Sequence, residues 1–300
     1  MLERGYTMHH AISQDKQGNI LATVSKTSAK IANGKDVRIN DFIIRMDPEK
    51  GEILQEWDLV NMLDSARYGM TDYNLTADPY AQNASNWAHN NGIVEWGNDY
   101  LATARYQGIF KFNKAGGIEW IISPHGYWRD RYLKLLLNPL HADGTPITDP
   151  DVIAGTKNCD DFEWPWGCHT AVPLPNGHIF YFNNGYGRNF KLDFTDRKNV
   201  YTCGIEYEVD EVNRTVRQVW QYGKERGTAY FTPARSGVQY LEQTGNRLIC
   251  PGMSNVLSNG NRGARVTEVD PETQEIVFEL ELEDAIYQRV YRMSLYPDNQ

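Results

Sequence analysis

The sequence predicts an all-β fold, a β-propeller of four-stranded blades. Three observations carry that expectation. HAISQDKQGNIL, HNNGIVEWGNDYL and HTAVPLPNGHIF each set a histidine eight residues before a glycine turn: His10 to Gly18, His89 to Gly97 and His169 to Gly177. Four further segments, 42–57, 109–122, 205–223 and 266–282, alternate apolar and polar residues on either side of Asp47, Asn113, Asp210 and Asp270. Sustained helical periodicity is nearly absent, so these alternations read as strands.

Each element follows in order. A His-to-Gly segment and the residues returning from its turn form one hairpin, and the Asp or Asn segment forms a second. Two hairpins make four strands, and four-stranded units repeated along a chain suggest blades whose inner strands line a channel. A β-sandwich would need no sequence repeat. The second unit is followed by a long connection, 123–168, with an amphipathic stretch at Trp128–Leu137 and aromatic ends at Tyr127, Trp128, Trp164 and Trp166. Connections of that length usually serve function. SGVQYLEQTGNRLIC, around Gly245-Asn246, is a fourth copy in which Gly237 stands where the others have histidine. About four blades are visible. Little sequence precedes His10, so the expectation is one propeller domain over 1–300, the C-terminal part of a longer architecture, with early blades missing or a ring that closes irregularly.

Composition narrows the partners. The net charge is −9 and there is no run of Lys or Arg, a poor match to nucleic acid or anionic membranes. No apolar run reaches the ~18 residues of a membrane span. The start, MLERGYTMHH, lacks the apolar core of a secretory signal. Cys159, Cys168, Cys203 and Cys250 lack C-x-x-C spacing, against a structural zinc site. Cys159 and Cys168 are near enough in sequence for a local disulfide, and free buried thiols are an equal alternative.

A repeat explains recurring glycines and apolar positions through packing, but it does not explain recurring imidazoles. On equivalent positions of a ring, His10, His89 and His169 converge. Residues two apart on a strand face one way, which puts Asn91 beside His89. Arg105 lies on the returning strand and pairs with His89 if the turn is centred on Gly97; a one-residue slip would turn it away. Three imidazoles, an amide and a guanidinium form a cradle for a tetrahedral oxyanion, with one imidazole as nucleophile and another as acid or base. The set suits transfer of a sulfuryl or phosphoryl group. Two other readings stay open: a metal-dependent propeller hydrolase or lyase with three His ligands, and a non-catalytic propeller binding module. Arg105 and the lack of a carboxylate adjacent to the histidines in sequence count against a metal. His125, His141 and His178 fall out of phase and read as loop or surface residues.

Three stretches, NWAHNNGIVEWGNDYLATARYQGIFKF, EWPWGCHTAVPLPNGHIFYFNNGYGR and YEVDEVNRTVRQVWQYGKERG, resemble the bacterial arylsulfate sulfotransferases over nearly the whole chain. The resemblance implies a six-bladed propeller with an extra N-terminal domain, a periplasmic and often dimeric enzyme, and no nucleotide sulfate donor or other cofactor. It implies ping-pong transfer of sulfate from a phenolic ester to a phenol through a sulfohistidine. By motif, His169 matches the nucleophile, His89 and Asn91 the W-x-H-x-N pair, Arg105 the arginine that follows, and His10 the histidine of an earlier blade, with His9 as the alternative. Ser236, with Thr232 as its rival, matches a hydroxyl residue of a late blade. Aromatic residues of the connecting loops are expected to form the aryl slot. Cys168 stands where the family commonly has Gln.

Overall fold

In the computed structural model, which describes residues 5–26, 40–67, 87–192, 194–254, 262–287 and 290, strands come in fours. The first blade holds β1 (Tyr6–Gln14), β2 (Ile20–Lys26), β3 (Asn40–Met46) and β4 (Ile53–Asp58). The second holds β5 (Asn90–Trp96), β6 (Asp99–Ala104), β7 (Gly108–Phe112) and β8 (Ile118–Ile122). After a connecting strand β9 (Asn138–Leu140), the third holds β10 (Ala171–Pro173), β11 (Ile179–Asn183), β12 (Cys203–Asp210) and β13 (Thr215–Tyr222). The fourth holds β14 (Gly237–Tyr240), β15 (Arg247–Cys250), β16 (Ala264–Val269) and β17 (Ile276–Leu282). Within each blade the strands are antiparallel neighbours in chain order. The first strands pack on one another, β1 on β5, β5 on β10 and β10 on β14. They are therefore the inner strands of consecutive propeller blades, as the repeat predicts.

The second hairpin of every blade is built alike. Asp47 accepts from the backbone N–H groups of Glu49 and Lys50, Asn113 from Ala115 and Gly117, Asp210 from Val212 and Asn213, and Asp270 from Glu272 and Thr273. A short side chain that bonds its own backbone a few residues on fixes the turn. In each of these hairpins the pairing slips by one residue, leaving Leu54, Glu119, Val219 and Val277 extra on the outer strands.

The core lies between blades. Along β6, Tyr100 and Ala102 join Leu21, Ile43 and Trp57 of the first blade, while Leu101 joins Ile179 and Tyr181 of the third. The period-2 pleat thus gives each blade two buried faces. Phe180 and Phe182 cross to Val238, Ile249 and Val269 of the fourth blade. Full burial of each such side chain stabilises by about 1.5–3 kcal/mol.

A short helix, α1 (Leu59–Met62), follows the first blade, capped by Asp58. The stretch Trp128–Leu137 is not one amphipathic helix: only α2 (Asp130–Leu133) is helical. The backbone of Leu135 and Leu137 is bonded to Ile121 of β8 instead, and β9 adds to blade three as a fifth strand, parallel to β13. Tethering to two sheets outcompetes the helix there. A third helix, α3 (Pro150–Ala154), is capped by Asp149 and stopped by Gly155 at φ +85°. Trp164 and Trp166 are buried with Ile147 and Val152, so the connection supplies core.

Candidate functional site

His10, His89 and His169 come from blades one, two and three at the inner strands. The Nε2 atoms of His10 and His89 are 3.2 Å apart, and the His10 and His169 rings are centred 6.2 Å apart. Beyond His10 the cluster continues. His9 Nδ1 is 3.0 Å from His10 Nδ1, and His9 Nε2 is 3.3 Å from Asp41 Oδ1. The other Asp41 oxygen accepts the Asn90 N–H at 2.8 Å.

Bulges bring these side chains together. The second blade's hairpin turns at Gly97-Asn98, with Trp96 opposite Asp99. Carried on without a break, that register would set Tyr106 opposite His89. Asn91 is an extra residue between Asn90 and Gly92, and it shifts the pairing by one. Arg105 N–H then bonds the His89 carbonyl at 2.9 Å. Simple alternation therefore does not place Asn91; the bulge does, and its amide donates to the Cys168 carbonyl at 2.9 Å. In the first blade the pairing slips by two residues between Met8 and Ile12, opposite Thr23. The Thr23 hydroxyl holds the His9 carbonyl, and the Ala11 N–H donates to the same hydroxyl at 3.0 Å. Both His9 and His10 lie in that slip. His10 and His89 have φ of +50° and +53°, Gly167 has +64°, and Arg235 and Ser236 have +67° and +94°. For the non-glycine residues this backbone costs about 1–3 kcal/mol, a strain that gathers at functional sites.

His169 is buried, and its orientation is fixed by a residue the sequence reading missed. Asn184 lies across the Gly177 turn, and its amide donates to the Thr232 carbonyl at 2.8 Å and the Arg235 carbonyl at 3.3 Å. Its Oδ1 is thereby turned to His169 Nδ1, 2.6 Å away, and can only accept. The proton of neutral His169 is on Nδ1, and Nε2 carries the lone pair. The signal was available, because the cross-turn pairing that selects Arg105 from His89 leads from His169 to this part of β11 and its exit.

Arg105 is buried, donates Nη2 to the Pro233 carbonyl at 2.7 Å and lies 4.5 Å over the Tyr186 ring. Ser236 is buried and its Oγ accepts the Gly252 N–H at 2.9 Å. The rival Thr232 donates its hydroxyl to the Ala234 carbonyl. His89 is held well below the ordinary histidine range, chiefly by burial, then by His10, Arg105, His169 and His9. The residue is half-buried but its ring lies deep among protein atoms, and it is neutral at pH 7. Burial pushes the Cys168 thiol up to about 12, so the residue before His169 is not a thiolate.

Three of the four connecting-loop aromatics expected to line an aryl slot are elsewhere. Trp128 donates to the Pro124 carbonyl and Trp164 to the Val152 carbonyl, and both are buried with Trp166. The aromatic rings packed on the site residues are Tyr106, edge-on to His89 at 6.0 Å, and Tyr186, under Arg105, both buried. Among the described residues one trio of metal-ligating groups has its ligand atoms all within 4.8 Å: His141, Cys159 and Asp161, away from the central histidines. His141 and Cys159 both bond Asp161, His178 pairs with Glu206, and His125 meets the Leu137 carbonyl. All four cysteines are free thiols.

The sequence model of the family described as Arylsulfotransferase (ASST) matches residues 1–292. Two relatives called arylsulfate sulfotransferase AssT, from Escherichia coli O6:H1 (strain CFT073) and Lelliottia amnigena, are each 28% identical over 100% of this chain and 54% of their own length. The chain thus spans about half the length of these relatives. A solved europium-containing methanol dehydrogenase matches with a TM-score of 0.47 and 11% identity, over 95% of this chain and 48% of that one. A likeness at that level carries no argument. Among the described residues no helix is long and apolar enough to cross a membrane.

Proposed function

The chain belongs to the arylsulfotransferase family, and from that premise we propose that it moves a sulfuryl group from an aryl sulfate ester to a phenol through a sulfohistidine on His169. The observation that carries the reading is the orientation of His169, whose Nδ1–H is held by Asn184 so that the lone pair for attack is on Nε2. Nε2 forms a bond to sulfur as the aryl oxygen leaves with the electron pair of the S–O bond. Arg105 supplies guanidinium donors for the sulfuryl oxygens, whose charge is redistributed in the transition state. The His10–His89 pair supplies a proton to the departing phenolate. A phenol then loses its proton to the same pair, attacks sulfur and frees His169. Tyr106, packed against His89, and Tyr186, under the Arg105 guanidinium, are the aromatic rings nearest the aryl group in this reading. Asn91, tied to the carbonyl before His169, and Ser236, on the loop that also holds Asn184, complete the set. The reading takes phenolic ester and phenol as the small-molecule partners, uses no metal, and carries the family's periplasmic location and pairing of two copies.

A chromogenic aryl sulfate, supplied with and without phenol, tests it. Colour release that depends on phenol, and is lost in His169→Ala, is the expected result. Release indifferent to phenol means hydrolysis. A bound transition metal required for turnover would replace the reading with a metal-dependent one.

A further inference from the structure

We infer that His9 and Asp41 form the outer end of a proton relay that runs through His10 to His89 and serves the oxygen of the leaving or entering phenol. The inference rests on the transfer reading above. Four groups lie in series: Asp41 Oδ1 is 3.3 Å from His9 Nε2, His9 Nδ1 is 3.0 Å from His10 Nδ1, and His10 Nε2 is 3.2 Å from His89 Nε2. Each central imidazole meets a neighbour of the series at each ring nitrogen. Imidazole accepts a proton at one nitrogen while releasing one from the other, so the series conducts a proton without moving a ring.

The sequence made this arrangement hard to foresee. Consecutive residues of a regular strand face opposite ways, and His9 falls outside the eight-residue spacing. The two-residue slip opposite Thr23 turns both histidines into one cluster. Asp41 comes from β3, two strands away, and its other oxygen is held by the Asn90 N–H of the second blade. Positive charge is balanced at the Asp41 end. At the other end it is opposed, because His89 faces His10, Arg105 and His169. The His9 side chain is 20% exposed against 3% for Asp41, while its Nε2 is buried against the carboxylate.

The proton count closes over a full cycle. His9, as imidazolium beside Asp41, passes its Nδ1 proton to His10; the His10 Nε2 proton moves to His89; and His89 gives one proton to the phenolate oxygen, which already holds the S–O electron pair. In the second half the acceptor phenol gives its proton to His89 as its oxygen bonds sulfur, and the N–S electron pair returns to His169. The shifts then run backward and His9 is recharged.

His9 touches no substrate in this scheme, so it is a positioning and relay residue with its own readout. A nitrophenolate leaves without needing a proton, whereas an unsubstituted phenolate needs one. Turnover of 4-nitrophenyl sulfate and phenyl sulfate, with one phenol as acceptor, is compared in the parent, His9→Gln and Asp41→Asn. Both variants are expected to lose about 10- to 100-fold in kcat with phenyl sulfate and less than about fivefold with the nitrophenyl ester, at similar KM. Equal losses on both esters, or none on either, overturn the relay and leave the transfer reading standing. A parent that moves no sulfuryl group from either ester overturns both. Should His9→Gln fail to fold, Asp41→Asn keeps an oxygen for the Asn90 N–H and decides alone.

Discussion

Replacing Asn184 tests the nucleophile's preparation directly. Its Oδ1 is 2.6 Å from His169 Nδ1, and its amide is committed to the carbonyls of Thr232 and Arg235. Asn184→Ala removes the acceptor and leaves two buried carbonyls without that donor. The Gly167 carbonyl, 3.3 Å from Nδ1, remains as a longer acceptor. A buried polar group left unsatisfied costs about 1–3 kcal/mol, which fits a stability loss of about that size. The same order of energy lost from the aligned tautomer lowers kcat by roughly 10- to 100-fold. Asn184→Asp separates orientation from charge. It keeps an acceptor but sets a carboxylate beside the imidazole, which favours the cationic form of His169 and raises its pKa. A cationic nucleophile is inert, so activity should appear only at higher pH than in the parent and recover there. The assay is the pH profile of phenol-dependent release from a chromogenic aryl sulfate, with thermal unfolding measured on the same preparations. Asn184→Ala with parental kcat, or Asn184→Asp with an unshifted profile, would refute the assignment of the proton to Nδ1.

Arg105→Lys keeps the charge but loses the planar fork stacked over Tyr186, and should cost roughly 100- to 1000-fold in turnover, read from initial rates. Donor added without acceptor should leave about 80 Da on the peptide containing His169, to be removed by phenol, as mass spectrometry of a digest kept at neutral pH would record. The same mass on His10 or His89 would keep the reaction class and reassign the nucleophile. Because the folded pKa of His89 is depressed, the unfolded chain binds the extra proton, and stability should fall as pH drops below about 6.5. Denaturant titrations of the parent and His89→Gln should therefore converge toward acid pH. Four free thiols should react in denatured, unreduced protein.

Blade count and strand pairing were legible because they rest on local signals. The turn glycines, the Asp or Asn side chains that bond their own backbone, and the period-2 pleat each act within a few residues. Convergence of His10, His89 and His169 followed from the repeat. What escaped was set by irregularity and distance. The route by which Asn91 and Arg105 reach the site depends on a bulge with no sequence signature. Asp41 and Asn184 act on histidines that lie 32 and 15 residues away. The tryptophans of the connection looked available for ligand because nothing local announces that a loop is to be buried as core.

The hairpin tips at Gly97, Gly177 and Gly245 point into open space, with no atom within 4 Å of where a side chain would begin. The histidines sit at the opposite end of the same inner strands. One face of the ring therefore holds the chemistry, and the other ends in short turns with open space where a side chain would begin at these three glycines. Loops lengthened at those tips would not move the paired residues behind them, since the added chain closes on itself at a cost of only about 0.6 kcal/mol per doubling of length. That makes the turn face a place to graft tethers, tags or a second binding module, and to fix the protein to a support with its reactive face outward.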